Sequence, residues 1–425
     1  MLSTLRNAWK VPELRKRMLF TLFIVVIFRL GIFIPVPGVD ASRLANLTSS
    51  GTLFTFYDML SGGALSKFSI FAMGVGPYIN ASIVLQLLTI AVPYLEQLSK
   101  EGQEGRQKIQ NYTRIAAIVF SVIQAIAVYT MINGAGAFQI GGKFGLLLVI
   151  LTTTAGSTLL VWLGEQIQVY GIGNGVSVII FVNIISTIPT MAYQVAGLQK
   201  AGEVSVVEVI IFILVALALL LSVIVVNLAE RRVPVQYAGK AVGNKVFKGQ
   251  STHIPFSLNS SGVMAIIFSM SMMQFPETIA RIWPSSSFAK FVMESPWSIF
   301  QRGSLKYVVV YFILILFFSW FYTIVTFKPD EMAENMNKSS GFIPGIRPGE
   351  KTAIFLEKVL TRISIIGGTF AGIIAVFPII MESYTKFKGI AFGGTSILII
   401  VGVALETMKQ LESQLVMRHY QGFLK

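Results

Sequence analysis

Ten continuous apolar runs divide this chain of 425 residues, and each is long enough, or nearly so, to cross a lipid bilayer as an α-helix. An α-helix rises about 1.5 Å per residue, so a hydrocarbon core of about 30 Å needs about 20 residues. A membrane β-barrel needs alternating apolar and polar residues, which these runs lack. The sequence therefore predicts an all-α polytopic membrane protein with ten transmembrane helices. The runs are residues 18–35, 70–92, 115–132, 144–163, 176–192, 206–228, 262–280, 307–327, 363–381 and 392–411.

Composition favours a membrane protein and argues against an enzyme. Hydrophobic residues make up 54% of the chain and charged residues 13%, which does not suit a water-soluble domain of this length. The chain has no cysteine and only two histidines, and no nucleophile, base and metal set can be assembled from it. Gly171, Gly173 and Gly175 lack the flanking strand and lysine of a phosphate loop, so they indicate a tight helix start. We predict no catalytic residue, no metal and no cofactor.

The basic residues predict the orientation, because Lys and Arg collect in cytoplasmic loops. With the amino terminus inside, 23 of the 34 Lys and Arg residues fall in inner segments and 10 in outer segments, and Arg29 lies within the first run. Both termini are therefore predicted to be cytoplasmic. The net charge of +14 then largely reflects topology rather than a nucleic-acid site, although a ribosome at the inner face could use the same charges.

Polar groups inside the apolar runs need partners, since an unsatisfied polar group in hydrocarbon costs several kcal/mol. For Arg29 we expect a structural partner. The amides and hydroxyls of the second, third and seventh runs should face protein or water. Two interpretations stay open for them, namely hydrogen bonds between helices and the lining of a pore or gate.

The segment between the first two runs, residues 52–69, shows apolar residues at helical spacing but is too short to span a bilayer. Gly62 and Gly63 interrupt it. It must lie on the outer surface or re-enter the membrane, and re-entry is possible only where protein or water surrounds the backbone.

Eight ordered stretches resemble signatures of the bacterial SecY family. They are FIPVPG (33–38), SGGALS (61–66), PYINASI (77–83), KEG (100–102), WLGEQI (162–167), GIGNG (171–175), PGIRPG (344–349) and FGGTS (392–396). They follow the family order across nearly the whole chain, so the resemblance is highly specific.

The resemblance implies a protein-conducting channel made of two inverted five-helix halves around an hourglass pore. An N-terminal cytoplasmic interfacial segment would occupy residues 1–17, the first half 18–190, an external hinge 191–205 and the second half 206–425. Residues 54–67 would form a plug on the outer side of the constriction. A lateral gate between helices 2/3 and 7/8 would release apolar segments into lipid.

The same resemblance assigns roles to individual residues. The pore ring would consist of Val75, Ile79, Val176, Ile180, Ile267 and Ile399. The plug would include Phe54, Tyr57, Leu60, Gly62, Gly63 and Leu65. The lateral gate would include Asn80, Gln86, Gln124, Ser269 and Ser271. Partner contacts on the inner loops 230–260 and 328–357 and on the tail would include Lys240, Lys245, Arg347 and Tyr420.

The implied function is passage of unfolded secretory polypeptides across the bacterial cytoplasmic (inner) membrane, driven by SecA or the ribosome. Other implied partners are SecE, SecG, signal peptides, secretory or membrane polypeptides, the lipid bilayer, SecDF and an insertase. Two alternatives carry less support. A secondary transporter should show ionisable groups at the midplane, and a scaffold or insertase would need neither a plug nor an aliphatic neck.

Overall fold

A computed structural model describes residues 2–39, 58, 61–134, 136, 138, 142–237, 241–242, 245–246, 251–261, 263–283, 285–295, 297–301, 304–385, 387 and 394–422. Within these residues the chain is mostly helical. The helices are α1 (Leu2–Lys10), α2 (Pro12–Gly31), α3 (Gly76–Ala91), α4 (Pro93–Lys100), α5 (Gln103–Gly134), α6 (Gly142–Tyr170), α7 (Gly175–Lys200), α8 (Val206–Leu228), α9 (Met264–Ile282), α10 (Ser287–Glu294), α11 (Leu305–Phe327), α12 (Pro329–Lys338), α13 (Glu350–Tyr384) and α14 (Gly394–Gly422). The strands are β1 (Glu230–Tyr237), β2 (Ala241–Val242), β3 (Lys245–Val246), β4 (Ser251–Ser257) and β5 (Gly341–Phe342).

Each of the ten predicted runs overlaps one of the long helices. In the described part of the chain, seven helices are long and apolar enough to cross a membrane, namely α5, α6, α7, α8, α11, α13 and α14. The pair α3 and α4 qualifies as an eighth candidate, bent by 98°. Helices α2 and α9 fall outside this group: α2 carries five charged residues, and α9 includes the polar residues Ser269, Ser271 and Gln274. The count of ten spans stays a prediction.

Local sequence explains several helix boundaries. Pro93 cannot donate the backbone hydrogen bond that would continue α3, and Val92 before it is extended, so the chain bends and restarts as α4. The side chain of Asn174 accepts a hydrogen bond from the backbone N–H of Ser177 at 3.3 Å and caps α7. The glycine-rich stretch before α7 is thus a helix start, as the sequence predicts.

Helices α6 and α7 approach each other closely through two glycines of the signature stretches. A Cβ added to Gly175 would overlap the carbonyl oxygen of Gly164. Helix α7 continues to Lys200, so residues 201–205 are the non-helical connection within the predicted 191–205 hinge. The next helix, α8, begins with a capping box between Ser205 and Glu208.

Two large apolar clusters form the core. One joins α2, α6 and α7 to one face of α14 through residues that include Phe28, Ile179 and Ile399. The other joins α8, α9, α11 and α13 to another face of α14, where Leu398 packs. Helix α14 therefore connects the two clusters. On α8 only Val223 is buried and eleven of the 23 residues are exposed, as a lipid-facing helix requires.

A small sheet departs from the all-α prediction. Strand β1 pairs antiparallel with β4 and β5, giving the order β4-β1-β5. Val233 and Val235 alternate with exposed residues along β1 and pack with Phe256 against α13. This period of two is the strand signature, but it is short and lies within polar loops.

Candidate functional site

Four of the six predicted ring residues converge on one small cavity. Ile79 of α3, Ile180 of α7, Ile267 of α9 and Ile399 of α14 all line a cavity of about 40 Å³. One water molecule needs about 10–15 Å³ of cavity volume measured in this way, so there is room for only a few. The cavity is therefore far too small for a polypeptide chain, and the aliphatic side chains close the space between the four helices.

The other two ring residues lie in the neighbouring apolar cluster. Val75 is buried at the residue before α3, and Val176 packs against the same cluster from the first turn of α7. Ile79, Ile180 and Ile399 belong to this cluster too. The predicted ring is thus a contiguous group of aliphatic side chains.

A second cavity lies between α5 and α9, beside α3. Its volume is about 380 Å³, and most of its lining is apolar, including Phe120, Phe275 and Trp283. Asn80 and Gln274 line both this cavity and the smaller one. These two amide side chains therefore lie where the two cavities adjoin.

The predicted gate residues separate into two groups. Asn80 and Gln124 line the larger cavity, and Ser271 lines the smaller one. Gln86 is exposed and its amide nitrogen lies 3.5 Å from the Ser82 hydroxyl. Ser269 is fully buried and donates to the carbonyl of Ala265 within its own helix at 2.7 Å. The structure brings Asn80, Gln124 and Ser271 together. It places Gln86 and Ser269 elsewhere.

Helix α9 contacts α3 and α5 through few but specific interactions. The rings of Phe120 and Phe275 meet edge to face, with centroids 6.3 Å apart. The hydroxyl of Thr130 shares its proton between the carbonyl oxygen of Arg281 at 3.0 Å and that of Ala127, within α5, at 2.8 Å. Ile83 of α3 packs with Phe268 of α9. These contacts join α9 to both α3 and α5.

Part of the predicted plug lies outside the described residues, including Phe54, Tyr57 and Leu60. Gly62 and Leu65 are buried, and Gly63 is half-buried. The end of the segment is tied by backbone hydrogen bonds, from Val36 N to Phe68 O at 2.8 Å and from Ile70 N to Ile34 O at 3.0 Å. The Lys67 ammonium also lies 3.9 Å from the centroid of the Phe33 ring.

Gly62 has two polar neighbours. The guanidinium of Arg29 donates to the Gly62 carbonyl, with Nη1 and O 3.3 Å apart. A Cβ at Gly62 would lie 2.5 Å from Oδ1 of Asn183 and 2.9 Å from Nη1 of Arg29. Gly62 has φ +69°, a left-handed conformation that glycine adopts without strain. The structural partner expected for Arg29 is therefore this carbonyl.

Asp58 organises the same segment. Its carboxylate accepts a hydrogen bond from the backbone N–H of Ser66 at 2.6 Å, and its carbonyl accepts from the hydroxyl of Ser61 at 3.0 Å. Burial raises the pKa of Asp58, and the hydrogen bonds from Ser66 and Leu65 with the charge of Lys67 oppose this shift.

Of the predicted partner contacts, Arg347 lies on the turn that follows strand β5. Arg347 is exposed, and its carbonyl accepts from the buried Thr352 hydroxyl at 3.0 Å. Gly345 and Gly349, at φ +82° and +94°, shape the turn that carries it. Lys240 lies outside the described residues, as do the side chains of Lys245 and Tyr420.

Sequence reasoning left Gln274, Phe120 and Thr130 out of the gate. Gln274 is buried, and its amide nitrogen has no hydrogen-bond partner among the described residues. The sequence could have indicated this role, because Gln274 follows Ser271 by three residues and so lies on the same helix face. Nothing in the sequence marks Phe120 and Thr130 as gate residues, since aromatic and hydroxyl residues are common in membrane helices.

Comparison with known proteins decides the family. A family model described as SecY matches residues 69–408. The chain belongs to the SecY family. The protein translocase subunit SecY of Thermus thermophilus is 41% identical over 432 residues, which covers 100% of this chain and 98% of that protein. This membership confirms the resemblance, and it confirms a channel subunit of protein translocation rather than an enzyme.

Solved structures share the fold of this SecY-family chain. One of them has a TM-score of 0.66 at 18% identity. It is a SecY structure in which the plug domain is described as stabilising the closed channel and maintaining a membrane seal. Another, Sec61 in a canine ribosome-channel complex from the endoplasmic reticulum, has a TM-score of 0.63 at 18% identity. Each alignment covers 96% of both chains. With its apolar helices, the chain is a multi-pass membrane protein of this fold.

Proposed function

We propose that unfolded secretory polypeptides cross the membrane through the neck that Ile79, Ile180, Ile267 and Ile399 surround. The observation that carries this proposal is the convergence of these four side chains, from four helices, on one cavity of about 40 Å³. The proposed architecture has ten spans, both termini in the cytoplasm, and two inverted halves joined at residues 191–205.

An aliphatic neck suits a conduit for chains of any sequence. Branched apolar side chains pack around a moving polypeptide without demanding particular hydrogen bonds. A narrow apolar constriction also excludes water and ions by dewetting. The six residues Val75, Ile79, Val176, Ile180, Ile267 and Ile399 would form this seal.

We assign residues 54–67 as a plug on the outer side of the neck. The solved SecY structure with a plug domain supports this assignment, as does the attachment of Phe68 and Ile70 to the residues that follow α2. In the closed state the segment would cover the neck. It would move aside when a polypeptide enters.

Apolar segments of a substrate would leave sideways between α9 and the pair α3 and α5. The cavity of about 380 Å³ at this contact supports a lateral exit, and Asn80 and Gln124 line it. The small number of interactions across the contact also fits a gate. We place Ser271 at its inner boundary with the neck, and Gln86 and Ser269 further along the same helices.

The energy for transport would come from partners at the cytoplasmic face, either SecA or the ribosome. Arg347 is exposed there, and Lys240, Lys245 and Tyr420 would add to the docking surface. The ribosome-bound Sec61 structure of the same fold supports the ribosome as a partner. SecE and SecG would complete the complex, and SecDF and an insertase would contact it. The bacterial cytoplasmic membrane is the proposed location.

Reconstitution tests the proposed function. The chain is placed in liposomes with SecE and SecG, and SecA, ATP and a secretory precursor are added outside. Transport is read as protection of the precursor from added protease, with liposomes that lack this chain as the control. Protection that depends on ATP and on this chain supports the proposal. Its absence, with the chain correctly inserted, would contradict it.

A further inference from the structure

Arg29 is a charged residue inside the first apolar run, and its guanidinium reaches the predicted plug. A charge at such a position is costly unless it is paired or stabilised by its surroundings. Arg29 lies in the last turn of α2, where the helix dipole favours a positive charge. Its Nη1 donates to the carbonyl of Gly62 at 3.3 Å, across 33 positions of sequence. The contact therefore joins helix α2 to the plug segment.

We propose that Arg29 is a positioning residue that holds residues 61–66 in the closed position by binding the carbonyl of Gly62. This inference rests on the proposed function, because it assigns a latch to the plug of that channel.

The surroundings of Gly62 are shaped for a residue without a side chain. Asn183 of α7 is fully buried, and its Oδ1 and the Arg29 guanidinium leave no room for a Cβ. The positive φ of Gly62 also favours glycine at this position, since residues with a side chain rarely adopt such a φ. Two helices, α2 and α7, thus enclose one glycine of the segment, and the guanidinium supplies the directional bond.

The attachments at the two ends of the described segment differ in kind. At the far end, backbone hydrogen bonds tie Phe68 and Ile70 to residues 34 and 36. At Gly62 the bond comes from a single side chain. A side chain can release its acceptor by a rotamer change, whereas the backbone pairs need a shift of the chain. Residues 68–70 therefore act as the hinge, and Arg29 acts as the releasable latch.

The test uses thiol accessibility, because the chain has no native cysteine. Ser61 is buried and similar in size to cysteine, so Ser61→Cys reports whether the segment is in place. The channel complex is assembled in sealed vesicles, and a membrane-impermeant maleimide is added on the outer side. Arg29→Gln should raise the labelling rate at position 61 by roughly tenfold or more, since a hydrogen bond to a charged donor is lost. Arg29→Lys should raise it less, because the charge remains.

Two further variants separate a latch from a general loss of stability. Arg17→Gln removes a charge from the other end of α2 and should leave the labelling rate unchanged. Gly62→Ala leaves Arg29 in place but adds a Cβ where there is no room, and it should raise the rate as Arg29→Gln does. Because Gly62→Ala acts through steric overlap and backbone strain, it is the positive control for a displaced segment, and Arg29→Lys carries the test if Arg29→Gln does not insert into the membrane.

The two proposals fail in different ways. If the Ser61→Cys chain transports a precursor but labelling is unchanged in Arg29→Gln while Gly62→Ala raises it, the latch is wrong and the channel stands. If the latch variants raise labelling but no form of the chain transports a precursor, the assignment of a channel for secretory polypeptides is wrong.

Discussion

The hydroxyl of Thr130 lies 3.0 Å from the carbonyl oxygen of Arg281, and it shares its one proton between this oxygen and the carbonyl oxygen of Ala127 at 2.8 Å. The bond to Arg281 connects α5 to the last turn of α9, and so joins the two sides of the proposed lateral gate. Arg281 is itself held by an ion pair with Glu277 at 2.8 Å. The Thr130 hydroxyl therefore links the end of α9 to α5, and the ion pair holds the Arg281 side chain along its own helix.

Thr130→Val should ease opening of the gate. The valine keeps the shape of threonine and removes the bond to Arg281, which destabilises the closed form by about 1 kcal/mol, or roughly fivefold in its population. Transport of a precursor with a weakly apolar signal peptide should rise by about two- to tenfold, and that of a strongly apolar one should change little. Thr158→Val is the control, since the Thr158 hydroxyl bonds only within α6 in the described contacts. Equal rates for Thr130→Val and the parent chain would count against the contact as part of a gate.

Ile180→Ser should open a leak through the resting channel. Ile180 is buried at the neck, and a hydroxyl there removes apolar volume and attracts water. Ion conductance of planar bilayers containing the resting complex should increase clearly above that of the parent chain. Ile210→Ser makes the same chemical change on α8, where the side chain is exposed, and should not raise conductance. Unchanged conductance in Ile180→Ser would remove Ile180 from the proposed seal.

The plug position should depend on pH through Asp58. Burial raises the pKa of Asp58 in the closed form above that of a displaced, solvated segment. The protonated form is therefore favoured when the segment is in place. This contribution is fully present below the ordinary aspartate pKa of about 3.9 and is lost as the pH rises through the higher closed-state pKa.

Acidification should accordingly slow the labelling of Ser61→Cys, measured relative to an exposed cysteine at Gln199 to correct for thiol ionisation. Asp58→Asn should flatten this dependence, because the amide does not titrate. An equally steep dependence in Asp58→Asn would assign the effect to another group.

Arg347→Ala should impair partner-driven transport without affecting the closed channel. The side chain is exposed and the turn is shaped by Gly345 and Gly349, so its truncation should not disturb folding. Loss of a charged contact at a docking site should lower SecA-driven transport by roughly tenfold or more. Arg362→Ala removes an exposed arginine from nearby α13 and serves as the control. If both variants transport at the parent rate, Arg347 is not a partner contact.

The sequence predicts the helices well because a membrane-spanning helix needs a long apolar run, and each run overlaps a helix. It also predicts that Arg29 has a partner, since the cost of a charge in an apolar run follows from its position alone. The identity of that partner, the Gly62 carbonyl, depends on how a separate segment folds back, which no local pattern encodes.

Other features were hidden by their context. In strand β1 the buried Val233 and Val235 alternate with exposed residues, but the strand is short and its loop is largely polar in sequence. Gln86 and Asn80 share an apolar run, yet they are six residues apart on α3, so one lines a cavity and the other is exposed. A list of polar residues in a run does not give the direction that each one faces.

Crosslinking to a substrate in transit tests the central claim most directly. Single cysteines are placed at Ile180, in the neck, and at Leu221, which is 60% exposed on α8. Each is then oxidised against a cysteine in a secretory chain that is stalled during SecA-driven transport. A polypeptide path through the neck predicts crosslinks at position 180 and none at 221. If transport is intact and no crosslink forms at position 180, the polypeptide does not pass between Ile79, Ile180, Ile267 and Ile399.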